Sequence, residues 1–219
     1  ALPASAAMVP PSLTVVRPVS PLIDMPTSYP AQPELKVFPD LPEDASIARG
    51  VRPYDEIAPF LNTLMDASDR VSAQVVGTSA QGRDIYLVTV TAPETTAQTA
   101  QQSDWRDLVK ADPTAAAADA TLQSEYKVPM WFNGNIHGNE WEGTDATLNY
   151  IEDLAESTDP TVEAMLEQHR IYFTVVNTPD GRALGQRATA TGYDPNRDFI
   201  TNATVETAII RDLTAAIQP

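Results

Sequence analysis

The sequence contains no cysteine and only two histidines. Without cysteine, the chain cannot form disulfides, thiolate metal sites or a cysteine nucleophile. Any bound metal ion would therefore have to be held by histidine and carboxylate side chains.

Basic residues are also scarce, with 14 Lys and Arg against 30 Asp and Glu and a net charge of -16. Proteins bind nucleic acids largely through Lys and Arg, and an acidic protein is repelled by anionic surfaces. No uninterrupted apolar run approaches the roughly 20 residues that a membrane-spanning helix needs. We therefore expect neither a nucleic acid nor a membrane as partner.

Proline is concentrated near the start, where eleven of the 19 prolines lie between Pro3 and Pro53. Each proline fixes its own φ and biases the preceding residue toward extended backbone. Residues 1–53 are therefore predicted to be a proline-rich N-terminal extension, either a linker or a pro-segment, and apolar residues such as Leu35 suggest that its end docks. The small residues at positions 1–7 resemble a signal-peptidase cleavage region, so we expect a secreted protein.

From Tyr54 onward the pattern is that of a folded domain, predicted over residues 54–219. Apolar residues at three- and four-residue steps predict a first helix. Residues 71–76 and 85–90 are predicted strands joined by a glycine-containing hairpin loop. Residues 92–127 are rich in Ala, Thr, Gln and Asp, which indicates a surface insertion with one short helix near residues 105–110.

The apolar run at residues 128–133 ends in an Asn-Gly turn and predicts a buried strand, and residues 171–176 predict a second one. Helical patterns occupy residues 145–155, 162–168 and 205–217. Alternating strands and helices predict an α/β fold with a mixed, mostly buried sheet and helices on both faces.

The turn after the first of these buried strands places His137 and Glu140 three residues apart at a strand-to-helix junction. Zinc accepts an imidazole nitrogen and a carboxylate oxygen at about 2 Å. Active-site groups in open α/β sheets cluster beyond the carboxyl ends of strands. Such short motifs also recur by chance, and a histidine beside a turn often makes only local hydrogen bonds.

Three further segments accompany this His-x-x-Glu-Trp motif: Gly77-Thr78-Ser79-Ala80-Gln81-Gly82-Arg83, Asn177-Thr178-Pro179-Asp180-Gly181-Arg182 and Tyr193-Asp194-Pro195-Asn196-Arg197-Asp198-Phe199. In this order they resemble the zinc carboxypeptidase family of the carboxypeptidase A type, over the N-terminal part of its catalytic domain. The sequence departs from the family pattern at Thr178, where the family usually has asparagine.

The resemblance implies that His137 and Glu140 are the first two ligands of a Zn²⁺ cofactor. It implies that Asp194 accepts the other ring proton of His137, which would fix the tautomer. Arg187 matches the catalytic family residue that stabilises negative charge on the carbonyl oxygen.

Asn196 and Arg197 match the family residues that bind the C-terminal carboxylate of the substrate, a group whose geometry suits the arginine fork. Glu206 resembles a family glutamate, to which we assign an electrostatic role at the start of the last helix. His169 lacks the ligand spacing and is interpreted as a surface or strand-edge histidine.

By this resemblance the whole protein is a zinc-dependent exopeptidase acting on peptides with a free C-terminal carboxylate. The family's third zinc ligand, catalytic glutamate and specificity pocket would lie beyond Pro219. We therefore expect the fold to be incomplete at the C-terminus, and the segment alone to be inactive without the missing C-terminal fragment. A peptidoglycan-fragment peptidase, a deacylase, or a truncated non-catalytic binding module remain alternatives.

Overall fold

The computed structural model describes residues 34–219. Residues 1–33, which hold most of the predicted extension and its small-residue start, lie outside the described part. The described strands are β1 (Val71–Thr78), β2 (Asp84–Val90), β3 (Val128–Asn133) and β4 (His169–Thr174). The helices are α1 (Ile57–Ala67), α2 (Thr96–Ala111), α3 (Pro113–Ala118), α4 (Ala120–Glu125), α5 (Glu142–Glu156), α6 (Pro160–Gln168), α7 (Pro179–Leu184) and α8 (Val205–Ile217).

The described strands form one mixed sheet in the order β1-β2-β4-β3. β1 and β2 are an antiparallel hairpin, as predicted, and β2 pairs antiparallel with β4. β3 and β4 are parallel, so the chain crosses from one to the other through α5 and α6. Because they are parallel, the carboxyl ends of β3 and β4 lie at the same edge of the sheet.

Helices cover both faces of this sheet, which confirms the predicted fold class. On one face, α1 and α5 bury Ile57, Leu61, Leu148 and Ile151 against strand residues such as Phe173. On the other face, α8 buries a smaller cluster that includes Ile209, Leu213, Leu87 and Tyr172. Removal of this apolar surface from water is the main force holding the layers together.

The prediction that β3 is buried is wrong for the described residues. β3 lies at the edge of the sheet, and Val128, Met130 and Phe132 are 53%, 37% and 40% exposed. An apolar run does not reveal whether a strand has neighbours on one side or on both. β4, which lies between two strands, is buried as predicted.

The predicted insertion with one short helix contains three helices instead, α2 to α4. Thr95 caps α2 in a capping box with Gln98, and two aspartates cap the shorter helices that follow. Trp105 packs with Ala116 and Leu122 in a small core of its own. The polar composition concealed these helices because their apolar residues are few.

A buried ion cluster joins the insertion to the sheet. Glu94 is 6% exposed, accepts hydrogen bonds from the guanidinium of Arg170 and lies 3.1 Å from Nζ of Lys127. Burial raises the pKa of Glu94, but Arg170 and then Lys127 outweigh it and hold that pKa below its ordinary value. This cluster lies at the amino ends of β3 and β4.

The segment before α1 packs onto the domain. Leu35 is buried, and its main-chain N–H and carbonyl bond the side chain of Asn62 at 2.8 and 2.9 Å. The carboxylate of Asp44 accepts hydrogen bonds from Ser46 and from the main chain of Tyr54. Between residues 34 and 219, no helix has the length and apolar character required to cross a membrane.

Candidate metal centre

The loop between β3 and α5, residues 134–141 and termed the metal loop, is closed from within by Asn135. Gly134 continues the strand pairing, donating its N–H to Thr174 O at 2.8 Å. Asn135 then adopts a left-handed φ of 50°, which asparagine tolerates better than most residues. Its buried Nδ2 donates to the carbonyls of His137 and Glu140 at 2.7 and 3.0 Å. The loop therefore closes around a single side-chain amide.

This closed loop brings the two predicted metal ligands together. His137 is 6% exposed, and its Nδ1 lies 2.8 Å from Oε1 of Glu140. Its Nε2 lies 3.2 Å from Oδ1 of Asp194. The imidazole thus presents one nitrogen to Glu140 and the other to Asp194, two carboxylates that are far apart in the sequence.

Arg187 joins the same cluster. Its Nε donates to Oδ2 of Asp194 at 3.0 Å, and its Nη1 lies 3.9 Å from Oε1 of Glu140. Slight desolvation would raise the pKa of Asp194, but hydrogen bonds from Arg187 and from the N–H of Asn196 outweigh it and hold that pKa below its ordinary value. The side chain of Arg187 remains 48% exposed, so it can also face solvent or a ligand.

Asn196 and Arg197 lie in a short 3₁₀ turn, Pro195–Arg197, directly after Asp194. The N–H of Asn196 donates to Asp194 at 2.9 Å. The side chains of Asn196 and Arg197 are exposed. Nη1 of Arg197 donates to the carbonyl of Asn196 at 2.9 Å. The structure thus gathers His137, Glu140, Asp194 and Arg187 by side-chain contacts, while Arg197 contacts its own turn.

The loop lies directly against α7 at Gly138, and Gly181 of α7 in turn lies against the segment that follows α7. A Cβ on Gly138 would lie 2.1 Å from the carbonyl carbon of Gly181, and a Cβ on Gly181 would lie 2.4 Å from the carbonyl oxygen of Ala188. The N–H of Gly138 also donates to the carbonyl of Arg187 at 3.3 Å. Only glycine allows the two backbones to approach this closely.

Thr178, the departure from the family motif, also contacts the loop. Its hydroxyl donates to the carbonyl of Ile136 at 2.6 Å. The preceding Asn177 donates its Nδ2 to the carbonyl of Gly134 at 2.7 Å. Both positions at the end of β4 therefore hold the carbonyls of the metal loop.

Asp180 has a role that was not predicted. It is fully buried and accepts hydrogen bonds from Ser79 Oγ at 2.7 Å, from the N–H of Gln81 at 2.9 Å and from Arg83 Nη1 at 2.8 Å. This carboxylate fixes the β1–β2 loop to α7. The segments 77–83 and 177–182 are both among the motifs that resemble the family, but the sequence does not show that they contact each other.

Glu206 lies in the first turn of α8, as expected from the sequence, where an electrostatic role was assigned to it. The side chain is buried, and Oε1 has no hydrogen-bond partner among the described residues. Burial, then the carboxylates of Asp180 and Asp198, raise its pKa to about 7, although a hydrogen bond to its own backbone lowers it.

His169, at the start of β4, is half-buried and bonds the carbonyl of Met165 through Nδ1 at 2.9 Å.

The donors at the loop fit the first part of a zinc site. Imidazole nitrogen and carboxylate oxygen are zinc's usual donors, and a catalytic zinc commonly has three protein ligands. His137 and Glu140 supply two. Within residues 34–219, no group of three or more His, Cys, Asp or Glu is arranged to hold a metal ion.

Comparisons with known proteins point to one family. Carboxypeptidase 2 of Trichophyton tonsurans is 34% identical over 106 residues, which cover 48% of this chain and 20% of the relative. The aligned part thus spans about a fifth of that relative's length. The crystal structure of thrombin activatable fibrinolysis inhibitor superposes with a TM-score of 0.59 at 14% identity, covering 80% of this chain and 46% of that one.

A metallo-carboxypeptidase from Burkholderia cenocepacia superposes with a TM-score of 0.56 at 21% identity, covering 73% of this chain and 37% of that one. These structures establish the likeness of fold. The sequence model of the zinc carboxypeptidase family matches residues 57–211, which include every residue of the candidate centre. The chain belongs to the zinc carboxypeptidase family.

Proposed function

We propose that this chain is part of a zinc-dependent exopeptidase that hydrolyses the last peptide bond of its substrates. The observation that carries the proposal is the arrangement of His137, with Nδ1 2.8 Å from Glu140 and Nε2 3.2 Å from Asp194. His137 Nδ1 and Glu140 would hold the zinc ion. When bound, zinc supplies a Lewis acid that lowers the pKa of a bound water toward neutrality.

The remaining residues orient and stabilise. Asp194 would accept a hydrogen bond from the Nε2–H of His137, which would leave the Nδ1 lone pair for the zinc ion. Arg187, half exposed beside both carboxylates, can turn its guanidinium toward a carbonyl oxygen that gains negative charge. Arg197 and Asn196, exposed on the next turn, would bind the substrate's free carboxylate.

The proposal concerns the full-length protein. A third ligand and a general base are required, and we propose that residues after Pro219 supply both.

The test uses full-length protein and measures zinc content together with peptide hydrolysis. We expect one zinc per molecule and release of the last residue from peptides with a free carboxylate, but not from the same peptides amidated at the C-terminus. His137→Ala should lose zinc and activity. His169→Ala removes the other histidine of residues 1–219 and should keep both zinc and activity.

Full hydrolysis after chelation, or retention of zinc by His137→Ala, would refute the proposal. Equal cleavage of amidated and free peptides would instead favour an amide hydrolase that does not recognise a terminal carboxylate.

A further inference from the structure

Arg182 is a buried cation directly behind the metal loop. It lies in α7, and its side chain is fully buried. Nη1 donates to the carbonyl of Trp141 at 3.0 Å, and Nη2 donates to the carbonyl of Arg52. Nη2 also lies 3.6 Å from Oδ1 of Asp145, a buried atom of a side chain that is 30% exposed as a whole.

This position is unfavourable for a positive charge. Burial lowers the pKa of Arg182, and the charges of Asp145, then Asp44 and Glu142, only partly oppose that effect. Trp141 is the residue before α5, so the cation also lies at the positive end of that helix dipole. Burying a cation costs several kcal/mol unless hydrogen bonds and opposite charges compensate. Breaking the hydrogen bonds of Arg182 would therefore be costly, so these bonds hold the carbonyls of Trp141 and Arg52 in place.

Those constraints act on the residue next to a metal ligand. Trp141 follows Glu140, and its indole Nε1 donates back to the carbonyl of Arg182 at 3.2 Å. Trp141 and Arg182 thus exchange two hydrogen bonds, which fix the indole of Trp141 and the peptide unit between Trp141 and Glu142, directly after the residue that follows Glu140. The Glu140 carboxylate itself is exposed, so its direction depends on how its backbone is held.

The same arginine connects the metal loop to the segment before α1. Besides the Arg52 carbonyl that Arg182 binds, the N–H of Arg52 donates to Asp145 at 3.1 Å. The N–H of Ala45 donates to the carbonyl of Ala183 at 2.9 Å. Residues 45–52 therefore brace α7 and the start of α5 from outside.

We propose that Arg182 is a positioning residue for the metal site, which aims Glu140 at His137 by fixing Trp141 between α7 and residues 45–52. The inference rests on the proposed zinc function. Its distinguishing observable is zinc affinity, since loss of a merely structural contact would lower stability and leave the affinity of the folded protein unchanged.

The test compares Arg182→Lys with Arg70→Lys in the full-length protein. Arg70 is a matched control because it also binds two main-chain carbonyls, those of Leu154 and Ser157, but at the far end of α5. Lysine keeps the charge in both variants but lacks the two-nitrogen fork through which Arg182 binds the carbonyls of Trp141 and Arg52. Zinc dissociation constants are measured by chelator competition, and the ligand geometry is followed in the visible spectrum of the Co²⁺-substituted protein.

We expect Arg182→Lys to weaken zinc binding on the order of tenfold and to alter the Co²⁺ spectrum. Arg70→Lys should leave the zinc affinity and the Co²⁺ spectrum unchanged, even if its melting temperature falls as much as that of Arg182→Lys. Asp145→Asn provides a second variant that keeps a hydrogen-bond acceptor and removes only the charge facing Arg182. It should weaken zinc binding in the same direction by a smaller factor.

Wild-type affinity in both Arg182→Lys and Asp145→Asn would overturn the inference while leaving the zinc function intact. Absence of zinc from the wild-type full-length protein would refute the zinc function itself. An equal loss of zinc affinity in Arg182→Lys and Arg70→Lys would also overturn the positioning role of Arg182, because the loss would then follow the general stability of the protein.

Discussion

Replacing Glu206 with glutamine is expected to change how the stability of the protein depends on pH. The buried carboxyl has a pKa of about 7 in the folded protein and an ordinary value of 4.5 when solvated. Between these two values the folded state holds a proton that the unfolded state has released. Stability is therefore fully present below pH 4.5 and is lost as the pH rises toward 7.

The magnitude follows from the gap between the two pKa values. Each pH unit within the gap changes the free energy of unfolding by about 1.4 kcal/mol. By pH 8 the ionised Glu206, buried near Asp180 and Asp198, should therefore destabilise the folded protein by about 3 kcal/mol relative to pH 4. Glutamine carries no ionisable group and removes this dependence.

The assay is urea unfolding of wild type and Glu206→Gln at several values between pH 4.5 and 8. The difference in unfolding free energy should move in favour of the variant by about 3 kcal/mol across that range. If the new amide changes the unfolding free energy by the same amount at every pH, the change of the difference with pH is unaffected. Glu167→Gln, at an exposed position, controls for net charge. A flat difference, or one that moves toward the wild type as pH rises, would show that Glu206 is not a buried acid.

Three further substitutions test the packing around the site and the ion cluster at the amino ends of β3 and β4. Gly138→Ala should destabilise the protein by about 3 kcal/mol or more, because its Cβ would overlap Gly181. Gly143→Ala, where a Cβ has ordinary space, should be neutral or stabilise α5 by up to about 1 kcal/mol, and equal thermal shifts in the two variants would contradict this. Glu94→Gln should lower the unfolding free energy by about 3 kcal/mol in urea titrations, since it leaves Arg170 buried without its carboxylate. An unchanged urea midpoint would show that this ion pair contributes nothing.

The part of the site that the sequence predicts is the part built from neighbours in the chain. His137 and Glu140 are three residues apart on one loop, so a strand-to-helix junction suffices to bring them together. The place of Asp194 was available only through resemblance, because 57 residues separate it from His137.

The contacts of Arg182 and Asp180 could not be predicted from the sequence. Both residues are charged and fully buried, whereas a charge in a short polar motif ordinarily indicates a solvated loop. Their partners include carbonyls and N–H groups, which every residue carries and which leave no mark in the sequence. Strand existence was likewise predictable, but the exposure of β3 depends on which strands lie beside it.

Asn135 also limits which ions the metal loop can attract. Calcium recruits main-chain carbonyl oxygens, and the carbonyls of His137 and Glu140 both point to the amide of Asn135. In the proposed zinc site the donors would be an imidazole nitrogen and a carboxylate, a pair that suits zinc better than calcium or magnesium. Asn135 would thereby favour ions that accept nitrogen without being a ligand itself.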